Sequence, residues 1–196
     1  MQKFQSKEYS LLDRAIMFAV DAHSGMVRKR GNTPYVLHPL EVAAVAGTMT
    51  DDQEVLAASV LHDTVEDTPA TIEDIEKNFG ARVAALVASE TENKRHGLPP
   101  EESWMIRKTE SLETLKKAED PGVRIMWLSD KLSNMRSFHR LYEKNGIALW
   151  QTFNQKDPEK QAWYYRTIAE YTRALADTDA WKEYDRLTET VFKGVK

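Results

Sequence analysis

The sequence predicts an all-α protein, a single-domain bundle of roughly eight to ten helices, on three observations. Apolar residues recur at spacings of three and four along most of the chain, the period of one helical face. Glycine and proline are sparse, 8 and 7 in 196 residues, and most fall between those periodic segments. No segment reads as a strand of useful length. An apolar content of 41% is enough for one sizeable core, and the length is short for two full domains.

The first helix is expected over about Glu8 to His23, with Leu11, Leu12, Ala15, Ile16, Ala19 and Val20 on one stripe and Gly25 just beyond. Met26 to Leu37 is basic and rich in turn residues, and is expected to be an ordered loop. Pro39 suits a helical first turn, which puts His38 at or beside the cap of a helix running to about Thr48. Thr50-Asp51-Asp52-Gln53 has the form of a capping box for a helix that turns Val55, Leu56, Ala58, Ser59, Leu61 and His62 inward and stops at Asp67-Thr68-Pro69. Thr71 to Phe79, closed by Gly80, and Ala81 to Ser89 follow. After a polar break from Asn93 to Pro100, a helix is expected over Glu101 to Ala118. Asp120-Pro121-Gly122 reads as a turn, followed by helices over Val123 to Lys144, Ile147 to Phe153, Glu159 to Ala176 and Thr178 to Phe192.

The charge balance, 27 Lys and Arg against 31 Asp and Glu, gives a net charge of −4, which argues against a nucleic-acid backbone as partner but not against small phosphorylated ligands. No stretch approaches the ~18 uninterrupted apolar residues of a membrane span, and no signal peptide is evident. The expectation is a cytoplasmic protein. With no cysteine, disulfides, thiolate nucleophiles and sulfur-ligated zinc are excluded, so any metal must sit on His, Asp or Glu.

Chemistry concentrates in His62-Asp63-Thr64-Val65-Glu66-Asp67. His62 and Glu66 are four apart, as are Asp63 and Asp67, so each pair projects to neighbouring points of a helix. A solvated helix end would account for Glu66 and Asp67, but not for His62 and Asp63, which the apolar run before them drives toward the core. Asp130 lies inside Ile125-Met126-Trp127-Leu128-Ser129-Asp130-Lys131-Leu132 and needs a partner there, either Lys131 or Arg136 in an ion pair, or a cation. His38, His62, Asp63 and Asp130 together offer two imidazoles and two carboxylates. That set suits Mn²⁺, Fe²⁺ or Zn²⁺ better than Ca²⁺. Glu66 and Asp67, one turn away, are placed to orient or deprotonate a water.

The order His38-Pro39, then Leu61-His62-Asp63-Thr64-Val65-Glu66-Asp67-Thr68, then Leu128-Ser129-Asp130-Lys131-Leu132-Ser133-Asn134-Met135-Arg136 resembles the HD-domain phosphohydrolases. Within them it is similar to the hydrolase domain of the RelA/SpoT alarmone enzymes and their small stand-alone relatives. Ala22-His23-Ser24-Gly25, Arg28-Lys29, Pro34-Tyr35 and Phe79-Gly80 extend the likeness, which runs from about residue 12 to 140 and more loosely to about 175. The resemblance implies an HD-type fold over 1–196, with the motif-bearing core at 12–140 and a helical C-terminal part at 145–192. It implies hydrolysis of the 3′-pyrophosphate of ppGpp with one Mn²⁺ ion, without the synthetase activity of the larger enzymes. His38, His62, Asp63 and Asp130 are then the metal ligands, and Glu66 and Asp67 handle the attacking water. Arg28 and Lys29 match the basic pair that meets the nucleotide, with Arg28 stacked on the base, and Asn134 and Ser137 match positions lining the nucleoside pocket. The family often carries Ala where Ser129 stands, and Asp or Thr where Ser137 stands.

Two rival functions stay open on the sequence: phosphatase action on another nucleotide, such as NADPH or a nucleoside monophosphate, and binding of a nucleotide without turnover. His23 is expected to be a hydrogen-bonded core or loop residue, His96 a surface residue, and His139 no part of a second metal site. The tryptophans are expected in the core or at a subunit contact, with Trp150 and Trp163-Tyr164-Tyr165 as candidates to close the pocket. Lys94, Arg95 and Lys108 are expected to be structural rather than phosphate ligands.

Overall fold

A computed structural model describes residues 9–28, 32–95 and 97–195. Ten α-helices occur among them: α1 (Leu11–Ala22), α2 (Leu37–Ala46), α3 (Gln53–Leu61), α4 (Thr64–Asp67), α5 (Ile72–Phe79), α6 (Ala81–Glu90), α7 (Pro100–Lys117), α8 (Pro121–Asn145), α9 (Pro158–Tyr171) and α10 (Asp179–Val191). Short 3-10 segments follow α8 and α9 at Gly146–Thr152 and Arg173–Leu175. The only β pairing among the described residues is one bridge between Val27 and Pro34. No helix of the described residues is long and apolar enough to cross a membrane.

The centre is α3. Every residue from Val55 to Leu61 is buried, as a helix apolar on all sides requires. It is surrounded by α1, α2, α6 and α8, and α8 in turn carries α10. Gly122 permits the close crossing of α8 over α3: a Cβ there would lie 2.6 Å from Val55 Cγ2 and 3.3 Å from Leu86 Cδ2. His62 at the end of α3 and Asp130 midway along α8 are brought together by this packing.

Several boundaries differ from the sequence expectation. The cap of α3 is Asp52, whose carboxylate accepts from the backbone N–H groups of Glu54 and Val55; Thr50 caps only the Asp52 amide. Asp120-Pro121-Gly122 is not a free turn but the start of α8, with Asp120 as cap and Pro121 in the first helical position, where its missing N–H costs nothing. The helix expected to run through His62 and Asp63 breaks there, and Asp63 takes the cap position of the single turn α4. The late helix ends at Tyr171 rather than Ala176 and passes into 3-10 geometry. Trp150 does not close a pocket; it is fully buried, stacked on Phe192 at 5.0 Å and set edge-on to Phe138. Trp163 lies on the surface, and Phe153 lines the cleft instead.

Candidate active site

Three elements meet at one point. His38 enters from the first turn of α2, His62 and Asp63 from the break after α3, and Asp130 from α8. His38 Nε2 lies 3.0 Å from Asp130 Oδ1 and 3.6 Å from Asp63 Oδ2, while His62 Nε2 lies 3.1 Å from Asp63 Oδ2 and 3.6 Å from Asp130 Oδ1. His38, His62 and Asp130 each bring one ligand atom within 4.8 Å of the others, and all three are buried. Asp63 lies beside them, nearer the solvent.

The hydrogen bonds outside this cluster fix which ring nitrogens face inward. His62 Nδ1 lies 2.9 Å from the Ser59 carbonyl, which can only accept, so Nδ1 donates and the Nε2 lone pair faces the carboxylates. His38 Nδ1 lies 2.9 Å from Ser133 Oγ, whose hydroxyl donates to Glu41 Oε2 at 2.7 Å, so His38 Nδ1 donates as well. Two imidazole lone pairs and two carboxylates thus face one another, and the buried His62 Nε2 has no hydrogen-bond partner in this tautomer. Four acceptors converging in a buried place require a cation between them, either a proton or a metal. Burial works against charge on His62, yet the Asp63 and Asp130 carboxylates outweigh it and raise the ring well above the usual histidine range. Burial likewise opposes charge on Asp130, but Lys131, His38 and His62 hold it well below the usual carboxylate range; His62 and His38 do the same for Asp63. A place that captures a proton against burial has the donor atoms to take a divalent ion in its stead, and the set fits Mn²⁺, Fe²⁺ or Zn²⁺.

Of the partners considered from the sequence, Asp130 has the ion pair with Lys131, and its other oxygen is turned to the histidines. Its Oδ1 faces the histidines and accepts from Asn134 Nδ2 at 2.7 Å; its Oδ2 is paired with Lys131. Lys131 is held on its other side by Glu90 Oε1 at 2.9 Å and lies over Trp127. Arg136 pairs elsewhere, with Glu41 and Glu183.

Glu66 and Asp67 line the cleft beside this cluster, one helical turn on. Lys94 reaches both, donating to Asp67 Oδ1 at 2.6 Å and to the Glu66 carbonyl at 2.9 Å. Tyr35 Oη lies 2.6 Å from Asp63 Oδ2 and 2.9 Å from Asp67 Oδ2, so one phenol spans both acids. Burial, then Asp63 and Glu92, push the Glu66 carboxyl above its ordinary value. Burial, with Asp63 and Asp67 adding to it, likewise raises the Tyr35 hydroxyl and keeps it a donor.

Two connected clefts, each about 520 Å³, open from the cluster. Arg28 and Asn134 line both, and Ser137 lines one of them, beside Phe138 and Phe153. Arg28 sits with Cζ 5.8 Å from the Tyr35 ring centroid and Nη2 3.4 Å from Asn134 Oδ1. The Val27–Pro34 bridge holds this strand of loop over the site. Lys29 and His96 lie outside the described residues. The second cleft adds Lys94, Arg107 and Lys108, the last two anchored by Glu92. His23 is buried, its Nδ1–H donating to the Ala19 carbonyl and its ring stacked on Tyr35, and His139 is 3.9 Å from Glu143.

Sequence reasoning did not single out Tyr35, Glu41 or Ser133. Tyr35 stands three residues before His38, and an aromatic hydroxyl in a basic loop next to a candidate ligand is the one local signal for it. Lys94, expected to be structural, is an ion-pair partner of Glu66 and Asp67.

Residues 15–157 match the HD domain family. Among curated relatives, a guanosine-3′,5′-bis(diphosphate) 3′-pyrophosphohydrolase of Aquifex aeolicus is 40% identical over 126 residues, covering 64% of this chain and 17% of that protein. A GTP pyrophosphokinase of Brucella ovis is 32% identical over 195 residues, covering 94% of this chain and 25% of its own length. The chain therefore spans 17% to 25% of the length of these relatives. Among solved structures, one of a Listeria monocytogenes protein superposes with a TM-score of 0.69 at 34% identity, covering 80% of this chain and 99% of that one. A metazoan ortholog of SpoT, described as hydrolysing ppGpp, shares the fold with a TM-score of 0.74 at 24% identity, covering 98% of this chain and all of its own. The His62-Asp63 pair, completed by His38 and Asp130 across three helical elements, falls within the matched residues, and the chain belongs to the HD domain family.

Proposed function

We propose that this protein hydrolyses ppGpp at its 3′-pyrophosphate, releasing pyrophosphate, with one divalent metal ion, Mn²⁺, held by His38, His62, Asp63 and Asp130. The observation that carries the proposal is the convergence of two imidazole lone pairs and two carboxylates at the head of a cleft whose lining mixes Arg and Lys side chains with carboxylates. The name of the Aquifex aeolicus relative, a guanosine-3′,5′-bis(diphosphate) 3′-pyrophosphohydrolase, favours this substrate over other phosphate esters.

A divalent ion at this point supplies polarisation of a phosphoryl oxygen and acidification of water. Glu66 is the general base: burial and its acidic neighbours raise its carboxyl above the ordinary value and so make it the better proton acceptor of the two acids. Asp67, gripped by Lys94 and Tyr35 on its two oxygens, orients the water and keeps a fixed position as the proton moves to Glu66. Lys94, Arg107 and Lys108 offset the charge of the pyrophosphate, and Arg28 stacks on the base while Asn134 and Ser137 line the nucleoside. The P–O bond to the ribose 3′ oxygen breaks, leaving GDP and pyrophosphate.

The test is a panel of ppGpp, NADPH and nucleoside monophosphates with Mn²⁺ added to chelator-treated protein. Pyrophosphate from ppGpp alone supports the proposal. Orthophosphate from the others with ppGpp untouched overturns the substrate, and ppGpp binding without turnover in metal-replete protein overturns the enzymatic reading.

A further inference from the structure

The inward lone pair of His38 is set by a chain of groups that leads out of the site. His38 Nδ1–H donates to Ser133 Oγ at 2.9 Å; the Ser133 hydroxyl donates to Glu41 Oε2 at 2.7 Å; Glu41 Oε1 accepts from Arg136 Nη1 at 3.0 Å. Arg136 is then clamped by Glu183, whose two oxygens accept from Nε at 2.8 Å and Nη2 at 2.7 Å. Ser133 is fully buried, and a hydroxyl has one proton to give. Because Glu41 takes that proton, Ser133 must accept from His38 and cannot donate to it. Glu41 in turn is kept in place by the bidentate fork on Glu183, which belongs to α10 and lies beyond residues 15–157 that match the family.

We infer that Ser133, Glu41 and Glu183 are positioning residues which set the affinity of His38 for a divalent cation, so that α10 tunes the metal centre from outside the matched domain. The inference rests on His38 being a metal ligand. A partner that orients a ligating imidazole and fixes its tautomer typically changes metal affinity 10- to 100-fold when removed.

The experiment titrates chelator-treated protein with Mn²⁺ alone and reads the free ion by its paramagnetic resonance signal, in the wild type and in Ser133→Ala, Glu183→Ala, the double variant and His38→Ala. Ser133→Ala is expected to bind Mn²⁺ about 10- to 100-fold more weakly and Glu183→Ala up to about 10-fold more weakly. The double variant is expected to lose no more than Ser133→Ala, because Glu183 acts through Ser133. Thermal unfolding with chelator present separates this from a general loss of structure, and Glu183→Ala changes only a half-exposed pair, so it tests the chain even if Ser133→Ala folds poorly. Additive losses in the double variant, or affinities that follow metal-free stability, overturn the inference. So does wild-type affinity in Ser133→Ala and Glu183→Ala while His38→Ala loses the ion, a result that leaves the ligand role of His38 standing. Unchanged Mn²⁺ binding in His38→Ala overturns the inference and the ligand assignment together.

Discussion

Gly122→Ala sets helix propensity against packing at the contact that brings the site together. Propensity alone favours the change: Ala exceeds Gly by at most about 1 kcal/mol in a helix, and less in the first turn, where Gly122 stands. Packing opposes it. The added Cβ would sit 2.6 Å from Val55 Cγ2, about 1 Å inside an ordinary carbon contact, and 3.3 Å from Leu86 Cδ2. Val55 is buried at 1% exposure and, being β-branched in a helix, has one favoured rotamer, so it cannot swing away. Overpacking of this kind costs about 1–3 kcal/mol, and with the clash this close the upper half of that range applies, leaving a net loss of about 1–2 kcal/mol. For a chain of this length the midpoint of thermal unfolding should fall by about 2–8 °C. Combining Gly122→Ala with Val55→Ala removes the clashing methyl, so the pair should cost about 2–3 kcal/mol less than the sum of the single changes. The assay is thermal unfolding in chelator, followed by circular dichroism. A neutral or stabilised Gly122→Ala, or strict additivity with Val55→Ala, would refute the close crossing of α3 and α8.

Asp63→Ala should lose metal and turnover together, whereas Glu66→Gln should keep metal and lose turnover; full activity in Glu66→Gln removes it as the base. Tyr35→Phe deletes the one hydroxyl that spans Asp63 and Asp67 and should lower kcat about 10- to 100-fold, measured at saturating Mn²⁺; an unchanged kcat means the phenol is only packing. Arg82 binds Asp52, Glu54 and Asp120 and so ties α3, α6 and the start of α8 together. Despite partial burial, Arg82 lowers Asp52, and it lowers Asp120 most directly. Depressed carboxylates add stability above their unfolded pKa near 4 and lose it as the pH falls. Arg82→Met should therefore be less stable than wild type at pH 7, with the gap narrowing as the pH falls below about 4 through the depressed carboxylates; a gap that stays constant into the acid range contradicts the ion-pair account.

The helices were legible because their apolar period survives in the linear order, and the buried His-Asp cluster was legible because two of its members are adjacent and the rest lie in distinctive short strings. What escaped the sequence depends on distant pairings. Ser133 meets His38 and Glu41 from more than ninety residues away, and nothing in Leu132-Ser133-Asn134 says which way a hydroxyl will turn. Asp120-Pro121-Gly122 looks the same as a turn and as a capped helix start, since Asp and Pro serve both; the decision falls to the packing of Gly122 on Val55. Periodicity around Trp150 gives burial but not direction, so an aromatic locked against Phe192 was open to being read as a lid. The break at His62-Asp63 follows no helix-stopping residue, and it comes where the two side chains turn toward α8.

The proposed reaction is cleavage of ppGpp by this cluster through a divalent ion. Phosphorus resonance on a reaction containing ppGpp, chelator-treated protein and added Mn²⁺ reads the products directly. GDP and pyrophosphate are expected in equal amounts, with neither formed without Mn²⁺ nor by His62→Ala with it. Orthophosphate as the first product, or pyrophosphate release that persists in chelator, would contradict it.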